Sequence, residues 1–175
     1  MKTRFFIILS FLSIVFTACN LTNESNYTPY MSFYKSPIVN GTDTLGIYYT
    51  DESNVYRLDT ITVGDTVSFQ MYYNSYSNNL LSVYLTQSAD SVSRIILPRK
   101  TVLDSIFLST SDYSKGKFLM GGTSSSLYFP FKYVAEKASL EAGLTLSVVS
   151  DANFKDASGS NSVSIVLKTP IVAKK

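Results

Sequence analysis

The chain has 175 residues, with 15 Lys+Arg against 13 Asp+Glu, no His, no Trp and one Cys. Without His, the commonest general base and every Ser-His-Asp arrangement are excluded, and a single Cys excludes an internal disulfide. The length and a hydrophobic content of 45% suit one domain with its own core.

The amino terminus is organised in three parts. Lys2 and Arg4 precede "FFIILSFLSIVF" (5–16), an apolar run broken only by serines, and small Thr17 and Ala18 then lead to Cys19. This is the layout of a secretory signal peptide, with an apolar region too short to span a bilayer. The stretch "FTAC" (16–19) resembles the lipobox of bacterial lipoproteins: an apolar residue, two small residues and a cysteine, with Phe16 where Leu is usual. The resemblance implies a diacylglycerol thioether on Cys19, cleavage after residue 18 and acylation of the new amino terminus. Such an anchor makes the membrane a partner and puts the protein in the cell envelope, at the outer membrane. Loss of residues 1–18 removes Lys2 and Arg4 from the 15 basic residues, which then equal the 13 acidic ones. A neutral mature chain has no general attraction for nucleic acid.

Residues 20–30, "NLTNESNYTPY", are polar and aperiodic and read as a tether, so residues 19–45 are assigned to the lipidated terminus and linker. The folded domain is expected over 46–175, where the hydrophobic period is two almost throughout. "TVSFQMYYN" (66–74) puts Val67, Phe69, Met71 and Tyr73 on one face, and "LLSVYLTQ" (80–87) puts Leu81, Val83 and Leu85 together. "SLYFPFKYV" (126–134), "GLTLSVVS" (143–150) and "NSVSIVLKT" (161–169) alternate in the same way. Weaker strand signals lie at 46–50, 60–63, 91–97, 104–109 and 117–120. Pro130 predicts an edge or a bulge within its strand, and "AEKASLEAG" (135–143) predicts a short helix ended by Gly143. Short β-branched and aromatic runs separated by turn residues predict an all-β sandwich or barrel.

Three segments resemble immunoglobulin-like modules of bacterial surface proteins. "ITVGDTVSFQM" (61–71) is similar to their first-to-second strand transition, "ASLEAGLTLSVVSDAN" (138–153) to the approach to their penultimate strand, and "SIVLKTPI" (164–171) to their closing strand. With the lipobox and a composition rich in Tyr, Asn, Ser and Asp, the chain resembles small immunoglobulin-like lipoproteins of Bacteroidetes. The resemblance implies a single immunoglobulin-like β-sandwich preceded by a lipoprotein signal peptide and a short tether.

No motif identifies a reaction, and the chain is read as a non-enzyme without cofactor. "SFYK" (32–35) matches a Ser-x-x-Lys pattern, but its partner motifs are missing and "KTP" (168–170) has Pro where that family has Gly. "DANFKDASGSN" (151–161) supplies oxygen ligands of the kind Ca²⁺ takes. Yet Lys155 occupies a ligand position and no Glu closes the loop, so a hairpin loop without metal is expected. Among 13 tyrosines, Tyr72 and Tyr84 fall on the polar faces of their strands, where a phenol ring can stack on a sugar or anchor a protein. The expected function is therefore a lipid-anchored envelope module, binding a glycan or protein; the alternatives are a passive structural or adhesive component and, last, a small hydrolase built on paired carboxylates. Finally, "DTL" (43–45), "DTI" (59–61), "DTV" (65–67), "DSV" (90–92) and "DSI" (104–106) resemble the Asp-Ser/Thr-apolar acceptor of Bacteroidetes O-glycosylation. That resemblance implies Thr44, Thr60, Ser91 and Ser105 as acceptors at exposed strand ends, whereas Thr66 is better explained as a turn residue.

Overall fold

The computed structural model describes residues 27–50, 52–88, 91–154 and 159–174. The stretch read as a signal peptide (1–18), Cys19 and the first residues of the expected tether lie outside the described residues. The rest is an all-β domain with several sheets. In chain order its strands are β1 (Tyr30–Val39), β2 (Asp43–Thr44), β3 (Ile47–Tyr49), β4 (Val55–Leu58), β5 (Ile61–Thr62), β6 (Thr66–Asn74), β7 (Leu80–Gln87) and β8 (Ser93–Ile96). Then come helix α1 (Lys100–Ile106) and strands β9 (Lys117–Leu119), β10 (Ser126–Ala135), β11 (Gly143–Ser150), β12 (Ser162–Lys168) and β13 (Ile171–Val172).

Strand order is β2-β1-β6-β10-β8 in a five-stranded sheet and β3-β4-β12-β11-β7-β9 in a six-stranded sheet, with β13-β5 as a short pair. Neighbours are antiparallel except β4 with β12 and β5 with β13, which run parallel. The period-two residues point as their alternation demands: Val67, Phe69, Met71 and Tyr73 are buried, as are Leu127, Phe129, Phe131 and Tyr133. Leu144, Leu146 and Val148 of β11, with Ile165 and Leu167 of β12, are buried with them. Aromatic rings join the two larger sheets. Phe129 of β10 meets Phe118 of β9 edge-on at 4.8 Å, and Phe107 touches both, at 5.7 and 5.2 Å.

Several sequence-based expectations are corrected. Residues 30–44, assigned to the tether, form β1 and β2, and β1 pairs with β6 along most of its length. Two bulges, between Phe33 and Lys35 and between Lys35 and Ile38, break the alternation that would have marked it as a strand. Leu81, expected inside, is 39% exposed because it is the extra residue of a bulge opposite β11. Its neighbours Leu80 and Ser82 are both buried instead.

Residues 104–109, read as a weak strand, belong largely to α1 and the turn that follows it. Buried Leu103 and Phe107 are four apart, which is helical spacing, and the Phe107 N–H donates to the Leu103 carbonyl at 2.8 Å. The Lys100–Asp104 ion pair spans the same interval. The helix expected over 135–143 is absent. That stretch is held extended or turned by long-range bonds: the Glu136 and Lys137 N–H groups donate to Val92, and Ser139 bridges Ile171. Tertiary pairing here overrides helix propensity. Gly143 accordingly ends no helix; a Cβ there would lie 2.4 Å from the Leu167 carbonyl oxygen, so glycine permits the close approach of β12.

Pro130 occupies an edge in a local sense. It faces Gln70 of β6, whereas β8 begins to pair with β10 only at Lys132, leaving the other side of β10 open beside it. Two inward tyrosines, Tyr73 and Tyr133, bury their hydroxyls; among the described residues that of Tyr73 has no hydrogen-bond partner, and that of Tyr133 lies beside Ser93. Burial pushes the pKa of both upward, so both rings stay neutral well into the alkaline range.

Candidate functional site

The outward faces of β1, β6 and β10 form one surface. Register places Ser32, Tyr72 and Tyr128 in one row, and Lys35, Gln70 and Pro130 in the next. The bulge after Phe33 inserts Tyr34 between these rows, so Tyr34 and Lys35 both turn outward while Phe33 remains packed against the core. Tyr34 then reaches Tyr128 edge-on, with ring centroids 4.6 Å apart, and Tyr128 lies against Tyr72 at 4.8 Å. The side chains of Tyr34 and Tyr128 enclose, with Gln70 and Pro130, an open groove of about 470 Å³. Tyr34 is 54% exposed and Tyr128 56%, so both rings are within reach of a ligand.

The aromatic surface continues along β6. Asn74 donates from its side-chain amide to the Tyr72 hydroxyl at 3.0 Å and accepts from the Tyr76 N–H at 2.6 Å. Beyond it, Tyr76 packs against Tyr27 at 5.2 Å. Tyr76 holds φ at +60°, a left-handed conformation uncommon for a bulky residue, and the Asn74 carbonyl oxygen on its N–H helps keep it there.

A larger cleft of about 550 Å³ lies between the β7–β9 side and β8, lined among others by Gln87, Arg94, Tyr113 and Lys115. Its charged groups and several of its polar ones are already engaged. Arg94 pairs with Glu136 at 2.9 Å, Lys115 with Asp112 at 3.4 Å, Tyr113 donates to Asp104, and Gln87 accepts from Ser93. The tyrosine face, by contrast, offers ring surface that no other element covers among the described residues.

The two tyrosines expected to contact ligand are separated by the fold. Tyr72 joins the cluster, whereas Tyr84 lies on the six-stranded sheet, facing Ser147 and Lys117 across its neighbours. Tyr34 and Tyr128 escaped the sequence reading. Tyr128 stands at a polar-face position of a clear strand, so its alternation was a usable signal, but a bulge gave no period to find Tyr34.

The expected glycan acceptors are dispersed. Thr44, Thr60, Ser91 and Ser105 are all exposed, and Thr66 is half-buried. Thr44 ends β2, Thr60 lies between β4 and β5, and Ser91 sits in a turn. Ser105 is not at a strand end but in α1, where its hydroxyl donates to the Val102 carbonyl at 2.7 Å. In the 151–161 loop, Asp151 accepts from the Asn79 backbone and side chain at 2.7 and 2.8 Å, which ties that loop to the β6–β7 turn. Asp156 and Ser158 lie outside the described residues. Among the described residues, no three His, Cys, Asp or Glu side chains come together in an arrangement that could hold a metal. Ser32 and Lys35 lie on a bulged strand rather than on one helical face.

No protein-family model matches the chain, and comparison with curated proteins finds no match.

Proposed function

We propose that this is a lipid-anchored binding module of the bacterial cell envelope, an immunoglobulin-like β-sandwich that engages a glycan through its tyrosine face. The observation that carries the functional reading is the Tyr34–Tyr128–Tyr72 cluster, three rings in contact on an outward sheet face beside an open groove. A passive envelope component would need no such cluster, because exposed aromatic rings invite aggregation unless they have a ligand to cover. Tyrosine suits a sugar, with an apolar face for the ring C–H groups and a hydroxyl for hydrogen bonding. The Gln70 and Asn74 amides, on the same face, are donors and acceptors suited to hydroxyls.

The strand orders support the sandwich reading. β1-β6-β10-β8 corresponds to the A-B-E-D sheet of an immunoglobulin-like domain, and β12-β11-β7 to its G-F-C sheet. The parallel pairing of β4 with β12 is what a split first strand produces when it crosses to the second sheet. The antibody Cys…Trp…Cys core is absent, as the composition requires.

Retardation in native gels containing neutral or acidic polysaccharides tests the glycan reading. Tyr128→Ala is expected to weaken binding about tenfold or more, the scale of losing a central aromatic contact. Tyr84→Ala, on the other sheet, should leave it unchanged. Equal effects from both substitutions, or no retardation of the unaltered protein by any polysaccharide, would exclude the reading. The anchor is tested by labelled fatty acid: incorporation is expected in the unaltered precursor and not in Cys19→Ala. Label persisting in that variant would remove Cys19 from the account.

A further inference from the structure

We infer that the glycan is bound as a chain several sugar units long, laid across two grooves that meet at the Gln70–Pro130 row, and not as a single terminal sugar. This rests on the glycan reading and adds the form of its ligand.

The first groove is the one beside Tyr34 and Tyr128. A second, of about 380 Å³, lies on the same face and is lined among others by Ser68, Ile96, Pro98 and Lys132. Gln70 and Pro130 line both, so one row of the sheet is common to the two. Register sets the order: the Tyr72–Tyr128 row, then Gln70–Pro130, then Ser68–Lys132, which Ile96 continues on β8. From Tyr34 on β1 to Ile96 on β8 the track crosses three strand spacings, roughly 14 Å at about 4.8 Å each. Between Tyr128 and Lys132 it also advances about 13 Å along β10. A single sugar ring cannot cover that diagonal, whereas a chain of them can. Ile96 is 39% exposed and adds apolar surface at the far end. Gln70 and Lys132 are exposed and make no hydrogen bond or ion pair among the described residues, so both are ready to meet hydroxyls along the way.

The second groove exists because β8 stops short of the end of β10. The Glu136 N–H donates to the Val92 carbonyl and the Ala135 N–H to the Asp65 carbonyl. Even-numbered residues of β10 therefore turn their backbone groups toward β8, and odd-numbered ones toward β6. Continuing the Lys132–Ile96 pairing by two residues sets Pro98 against Pro130, and both line the groove. Proline has no N–H, so neither can extend the ladder. The next even-numbered residue is Tyr128, whose N–H and carbonyl face the side where β8 has ended. A peptide strand is a poor occupant of this edge, because prolines there blunt strand addition. Sugar hydroxyls need no continuous ladder: they can use the Tyr128 backbone groups one by one, beside the ring that takes the sugar face.

The probes are size-graded fragments, from the disaccharide upward, of a β-glucan, a xylan and polygalacturonate, titrated calorimetrically into the unaltered protein. Within a series that binds, affinity is expected to rise about tenfold or more with length and to level off once both grooves are filled, because linked contacts add as intramolecular ones. Ile96→Ala and Lys132→Ala should each bring the long fragments down toward the disaccharide's affinity and leave the disaccharide unchanged. Lys132 is exposed, so its variant leaves the core untouched. Tyr128→Ala should weaken binding at every length. Affinity that is flat from the disaccharide on, or long-fragment binding that both second-groove variants keep, would overturn the inference and leave the glycan reading standing. Failure of every fragment and parent polymer to bind would overturn both. A concentration-dependent dimer that Tyr128→Ala disperses and no fragment displaces would also overturn the inference, assigning the grooves to a second copy of this chain.

Discussion

Replacing Phe129 by Ala is expected to remove about 3–5 kcal/mol of stability, a large share of the roughly 5–15 kcal/mol typical of a folded domain. Phe129 is 1% exposed and stands where the two larger sheets touch, with the Phe118, Phe107 and Phe131 rings at 4.8, 5.7 and 6.1 Å. These neighbours come from β9, from the end of α1 and from β10 itself, so no single one can move to fill the space. The cavity would therefore persist, and the cost would exceed that of transferring the lost atoms alone. Urea unfolding followed by tyrosine fluorescence measures the loss. Phe33→Ala, at a half-buried position on β1, should cost clearly less. A loss below about 1 kcal/mol at Phe129 would contradict a core shared between the sheets.

Gly116→Ala is expected to be nearly as damaging, by about 2–5 kcal/mol, for a different reason. Gly116 follows the short 3-10 helix Tyr113–Lys115 and adopts φ +62°, a conformation that costs other residues about 1–2 kcal/mol. A Cβ there would also lie 1.8 Å from the Leu85 carbonyl oxygen, and Leu85 donates its own N–H to the Gly116 carbonyl at 2.9 Å. The added methyl would have to part β9 from β7, drawing Phe118 out of the ring cluster; such overpacking costs about 1–3 kcal/mol more. Gly41→Ala separates the two contributions. Gly41 holds φ +84° with nothing within 4 Å of its Cβ direction, so only the conformational cost applies. Equal losses at the two glycines, measured by denaturation midpoint, would show that the contact with Leu85 is unimportant.

Much of the strand content was legible because burial of one sheet face writes a period of two into the chain. Val67–Tyr73, Leu127–Tyr133 and Leu144–Val148 could be assigned to the core from their own alternation, without reference to any partner strand. The amphipathic count failed where the backbone inserts a residue. At Leu81 a bulge reversed the faces, and in β1 two bulges erased the pattern altogether. It failed again at α1, where Leu103 and Phe107 are too few to outweigh β-branched neighbours, and at 135–143, where good helix formers are drawn into bonds with Val92 and Ile171.

The candidate site divides in the same way. Composition alone excluded His-based chemistry and supplied many tyrosines, and alternation alone put Tyr72 on the polar face of its strand. What joined Tyr34, Tyr72 and Tyr128 was the pairing of β1 and β10 on either side of β6, together with a bulge that turns Tyr34 and Lys35 to one side. The same strand order sent Tyr84 to the other sheet. Alternation is a property of each strand, enforced locally by the two faces of the pleat, so the sequence by itself determined which side chains turn inward in the regular strands. Neighbourhood between strands depends on long-range hydrogen bonding and on register, which only the tertiary structure decided.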